Sequence, residues 1–130
     1  MRIGAIAWCF DGLHPWHMKI LNFAKDLCDE LYVFINDDEY IEKVKWHKPI
    51  YNVNERMEML HLFWIENVWI FINQTSLKQK MIGCWVNVVF VWDDYVWKEV
   101  TKPRNALVIY FQRDEKYSTT NLIKRMQWEQ

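Results

Sequence analysis

The chain carries almost no excess of charge of either sign. Its 16 Lys and Arg face 17 Asp and Glu, so no overall basic field speaks for a nucleic-acid partner. Any anion-binding role must therefore come from local placement of charge. No apolar run reaches the roughly 20 residues of a bilayer span. Arg2 leads straight into a strand pattern with no cleavage-type stretch, so neither a membrane segment nor a secretory signal is expected. Cysteine is sparse: Cys9, Cys28 and Cys84 form no CxxC pair and no zinc spacing. Their odd number and wide separation indicate free thiols in a reducing compartment, and the expected location is cytoplasmic. Internal repeats, linkers and low-complexity stretches are missing, so residues 1–130 read as a single domain large enough to bury a core. Glycine is the most telling shortage. Three Gly stand beside nine Trp, an inverted ratio when glycine averages about 7% of residues.

What the chain does have is alternation of strand and helix patterns. The apolar fraction is 52% and the charged fraction 25%, as in a folded, soluble protein. Ile3 to Ala7 reads as a buried strand, Pro15 to Cys28 as an amphipathic helix, and Glu30 to Ile35 as a second strand. Strand, helix, strand within 35 residues is a βαβ unit with a right-handed crossover, which implies a parallel sheet. Val68 to Ile72, Asn87 to Val91 and Ala106 to Phe111 are three further strands. Helices are expected from Glu55 to about Trp64 after an Asn54 N-cap, from Ser76 to Gly83, and from Asn121 to Gln127. Residues 40–52, with Lys43, Lys45, His47, Lys48 and Pro49, read as a loop, either a solvated one or a mobile basic flap.

Polar residues collect where strands end. The loop Trp8-Cys9-Phe10-Asp11-Gly12-Leu13-His14-Pro15-Trp16-His17 follows the first strand and opens the first helix. A helix N-terminus offers unpaired N–H groups and a positive dipole end to phosphate, and His14 and His17 can add donors or charge. Asn36 to Asp38, Trp92 to Tyr95 and Arg113 to Thr120 follow other strands. In an open α/β sheet the ligand crevice lies at the carboxyl ends. Arg56 falls in a helix first turn, where a cation gains nothing from the dipole, which favours an anion nearby. Ser118, Thr119 and Thr120 before the last helix make a second phosphate-binding helix start. Cys9 has no motif behind a nucleophilic role, Cys28 reads as a small buried hydrophobe, and His61 reads as structural.

The segment Phe10 to His17, taken with Arg113 and Ser118-Thr119-Thr120, resembles the cytidylyltransferase branch of the HxGH nucleotidyltransferases, with the glycerol-3-phosphate type nearest. Asn54-Glu55-Arg56 and Asp93-Asp94 extend the likeness over nearly the whole chain. The resemblance implies a Rossmann-like fold: a three-layer α/β open sheet of about five parallel strands with helices on both faces. It implies a homodimer that transfers a cytidylyl group from CTP to a phosphorylated alcohol or sugar, glycerol 3-phosphate favoured, and releases pyrophosphate. His14, His17, Lys45 and Arg113 would be catalytic. Cys9, Phe10, Asp93, Asp94, Ser118, Thr119 and Thr120 would bind the nucleotide, and Asp11 and Arg56 the second substrate. Mg²⁺ would bridge the phosphates without a side-chain cage. An adenylyltransferase of the same superfamily, of the FAD synthetase kind, is the alternative, and a catalytically impaired nucleotide-binding domain is another.

The chain departs from the family at its glycines. Positions 8 and 16 are normally Gly, and glycine is common at those aligned with Trp46, Trp92 and Trp97, yet all five are Trp. One residue type replacing another at five places reads as a systematic alteration rather than drift. Trp16 would fill space meant for nucleotide. The remaining Trp64, Trp69, Trp85 and Trp128 are expected in the core or an interface.

Overall fold

A computed structural model describes residues 1–11, 15–92 and 99–111, with the backbone alone at Trp16 and Trp92. In chain order the elements are β1 (Ile3–Trp8), α1 (Pro15–Leu27), β2 (Glu30–Asn36), α2 (Asp38–Lys45), α3 (Val53–Leu62), β3 (Asn67–Phe71), α4 (Gln74–Gly83), β4 (Val88–Trp92) and β5 (Leu107–Phe111). The five strands form one sheet in the order β3-β2-β1-β4-β5, and every pairing is parallel. This is the Rossmann-like α/β sheet that the resemblance implied.

Side-chain alternation along the strands explains the layers. Leu31, Val33 and Ile35 of β2 face a core shared with Ile20, Leu21 and Ala24 of α1 and Leu60 of α3. Tyr32 and Phe34 of the same strand face the opposite core, with Leu77 and Met81 of α4 and Tyr40 of α2. Helices therefore cover both faces, and the strands read as near-continuous apolar runs because neither face meets water. Gly4 is needed for close approach: a Cβ there would collide with Cys28 Sγ and come within 2.8 Å of Phe90.

The expectations for residues 40–52, for the α3 cap and for two tryptophans are corrected. Residues 40–52 are not all loop, since α2 runs from Asp38 to Lys45. Asp37 caps it by accepting from the Tyr40 N–H, Asp38 and Glu39 fill its first turn, and Lys43 and Lys45 its last. This charge order suits the helix dipole. The cap of α3 is Asn52, not Asn54, because only Asn52 has Glu55 three residues on to close a capping box. At its other end α3 stops at Leu62, so Trp64 lies beyond the helix and is 81% exposed rather than in the core. Trp85 is likewise 80% exposed. The helix expected at 121–127 lies outside the described residues. Among the described residues no helix is long and apolar enough to cross a membrane.

Candidate functional site

The strand order reverses between β1 and β4, so the crevice of the sheet opens at the carboxyl ends of these two strands. The chain leaves β1 there and turns into α1. Phe10 makes the turn with φ of 51°, a left-handed conformation that a bulky residue rarely adopts. It is held there by burial, since only 1% of it is exposed, and its ring meets Trp8 edge-on at 5.0 Å. Strain of this kind persists only where packing over-determines it.

Pro15 opens α1, where its missing N–H leaves no bond unmade. His17 then falls in the first turn, among the helix's unpaired amides. Its imidazole packs edge-on against Trp8 at 4.6 Å and lies 5.6 Å from Phe10. The histidine is thereby fixed at the mouth of the crevice.

Side chains from two helices grip the same loop, and the loop's own Asp11 reaches a third segment. Lys45, in the last turn of α2, donates from Nζ to Cys9 Sγ at 3.1 Å, so an ammonium stands beside the loop. Arg56 is fully buried in α3. Its Nη1 donates to the Cys9 carbonyl at 2.9 Å, its Nε to the Tyr51 carbonyl at 3.1 Å, and its Nη2 to Asp38 Oδ1 at 2.8 Å. Asp11 accepts the backbone N–H groups of Ile50 at 2.8 Å and Tyr51 at 2.9 Å, one on each carboxylate oxygen. The segment between α2 and α3 is thus tied down onto the loop after β1.

Two residues that the resemblance assigned to the second substrate make their contacts here within the chain. Arg56 meets an anion of the chain itself, the Asp38 carboxylate, and spends its other nitrogens on two carbonyls, with no exposed surface. Asp11 likewise spends both oxygens on backbone amides. Both are positioning residues for the loop. Cys9 is 8% exposed and acts through its carbonyl and sulfur as the point that Arg56 and Lys45 hold. His61 is structural as expected, its Nδ1 lying 2.8 Å from the Ile65 carbonyl. His14, Asp93, Asp94, Arg113, Ser118, Thr119 and Thr120 lie outside the described residues.

One residue escaped the sequence reading as an individual. Asn36, at the carboxyl end of β2, has a buried Oδ1 with no hydrogen-bond partner. The only signal for it was membership of the polar cluster after that strand. Among the described residues, no group of three or more His, Cys, Asp or Glu is gathered as a metal would need.

Comparison with known proteins places this geometry in a family. Residues 8–125 match the family described as Cytidylyltransferase-like. The chain is 37% identical, over 96% of its length, to the Bifunctional protein HldE of Nitrobacter winogradskyi, and 32% identical to that of Rhodopseudomonas palustris (strain HaA2). It spans only 27% of the length of each of these curated relatives. The fold is similar to the crystal structure of the lipopolysaccharide core biosynthesis protein from Thermoplasma volcanium, with TM-score 0.63 and 21% identity, covering 88% of this chain and 100% of the other. The match from the end of β1 across the loop, all four helices and the remaining strands means that this chain belongs to the cytidylyltransferase-like family of nucleotidyltransferases.

Proposed function

We propose that the chain transfers a nucleotidyl group from a nucleoside triphosphate to a phosphorylated sugar or alcohol. An oxygen of the acceptor phosphate attacks the α-phosphorus, the bond to the β-phosphate breaks, and pyrophosphate leaves. The observation that carries this reading is His17 in the first turn of α1, at the reversal point of the sheet, with Lys45 held beside the same loop. Both reacting groups are anionic, so catalysis consists of aligning them and stabilising the charge that spreads over the α-phosphate. His17 and the α1 amides would donate to those oxygens, and the Lys45 ammonium would neutralise charge at the loop. His14, Arg113, Ser118, Thr119 and Thr120 would complete the phosphate contacts, and Asp93 and Asp94 the nucleoside contacts.

ATP with a sugar phosphate stands ahead of CTP with glycerol 3-phosphate, because the relatives reported above are HldE proteins. Mg²⁺ would enter on the triphosphate rather than in a cage of side chains, and a homodimer belongs to the same reading. Pyrophosphate release from ATP and CTP, each against a panel of sugar phosphates and glycerol 3-phosphate, tests the proposal. Release with ATP and a sugar phosphate is the expected result. Release with CTP alone would restore the cytidylyl assignment, and no release with any pair would refute transfer altogether.

A further inference from the structure

Three helices end on a left-handed residue, and each time it is a tryptophan. After α3, the Ile65 N–H reaches the Leu60 carbonyl at 3.1 Å and the Trp64 N–H the His61 carbonyl at 3.0 Å. After α4, the Val86 N–H reaches the Met81 carbonyl at 3.0 Å and the Trp85 N–H the Ile82 carbonyl at 3.1 Å. These are complete Schellman motifs, each with its apolar pair buried: Leu60 with Ile65, and Met81 with Val86. At the end of α2, the Trp46 N–H bonds the Glu42 carbonyl at 2.9 Å, which is the simpler left-handed cap. The residues at the turning points have φ of 65° (Trp46), 67° (Trp64) and 61° (Trp85).

Glycine is the usual residue at this point, because an L side chain brings its Cβ against the following carbonyl. Tryptophan brings that clash without any compensating contact. The three side chains are 92%, 81% and 80% exposed, and none of their indoles makes a hydrogen bond or ring contact among the described residues. The caps are well formed in every other respect, so the backbone asks for glycine while the chain carries the bulkiest side chain. The shortage of glycine beside an excess of tryptophan, three against nine, has the same direction.

We infer that positions 46, 64 and 85 are glycine positions, and that the cell encoding this chain decodes their codon as glycine. The backbone half is tested by paired substitutions at each site, followed by thermal melts. Trp→Gly raises Tm by about 3 °C per site, whereas Trp→Ala, which keeps the β-carbon, moves it by about 1 °C or less. Equal shifts for Gly and Ala at all three sites would overturn the conformational argument. The decoding half is tested by tandem mass spectrometry of the protein purified from its own source cells. Glycine in all three peptides is the expected result, and tryptophan in any of them overturns the assignment.

Discussion

Left-handed backbone occurs in the loop after β1 and at the helix ends, and the two places treat it in opposite ways. At the carboxyl end of the sheet, Phe10 turns the chain out of β1 with φ of 51° and is 1% exposed. Its ring belongs to the core that contains α1 and β5 residues, so the packing holds the strained turn in place. At the amino end, Trp64 and Trp85 hold similar angles with their side chains in water. Lys25 touches Trp64 there only through the Trp64 carbonyl, at 3.3 Å. A buried side chain can hold its own backbone in an unfavourable region; an exposed one can only suffer it. The turn at Phe10 aims the loop that carries His17, whereas the turns at Trp64 and Trp85 only end helices.

The comparison is sharpened most by the chemistry of the loop. His17→Ala should lower kcat by ~10²–10⁴ for the nucleotide pair that reacts, the loss expected when a preorganised group leaves the transition state. Tm should fall by only a few degrees, about what the lost ring contacts supply, and an unchanged kcat would remove His17 from the mechanism. The same end should also be the more fragile one. Phe10→Gly relieves the strained φ yet should lose about 3 kcal/mol in urea unfolding, because the buried ring is worth more than the strain. That is the opposite sign to Trp64→Gly, and a stabilised Phe10→Gly would erase the distinction between the two ends.

Arg56→Met should cost about 3 kcal/mol as well, since the Cys9 and Tyr51 carbonyls lose their buried donor. It should lower kcat indirectly through the loop. Loss of stability with kcat intact would make Arg56 a strut for the fold alone. A smaller effect is expected at Gly83, the last residue of α4, where an added Cβ meets nothing within 4 Å. Gly83→Ala should gain up to about 1 kcal/mol. Destabilisation there would mean that Gly83, rather than the turn at Trp85, stops the helix.

The smallest effect concerns pH. Burial raises the Cys28 and Cys84 thiols above the ordinary value, so the folded state resists forming thiolate. That stability is whole below the ordinary thiol range and declines as pH rises through and beyond it. Urea melts on either side of that range should show the decline, and a Cys28→Ser, Cys84→Ser double variant should lose it.

Strand positions were legible because period-two burial on both faces leaves unbroken apolar runs such as Leu31-Tyr32-Val33-Phe34-Ile35. The Pro15 helix start and the histidine at its first turn were legible for local reasons too. Helix α2 was not: its apolar contribution to the core is Ile41 with Tyr40, too little periodicity to stand out from its charges. The α3 cap slipped because Asn52 and Asn54 are equally good caps until Glu55 chooses between them. The partners of Arg56 were not legible for a different reason. A lone cation in a helix first turn looks the same whether its partner is a ligand or two carbonyls and an aspartate brought in from elsewhere in the chain.

The sequence by itself determined the alternation of strand and helix, the parallel sheet and the histidine-bearing loop at a helix start, because these follow from patterns within a few residues. Only the tertiary structure decided that Asp11, Asp38 and Arg56 are spent on holding that loop, and that Trp46, Trp64 and Trp85 stand at left-handed caps. Hydrogen bonds that cross tens of residues depend on where the rest of the chain lies, and no local pattern encodes that; the left-handed helix ends went unread because their usual local sign, glycine, is replaced by tryptophan.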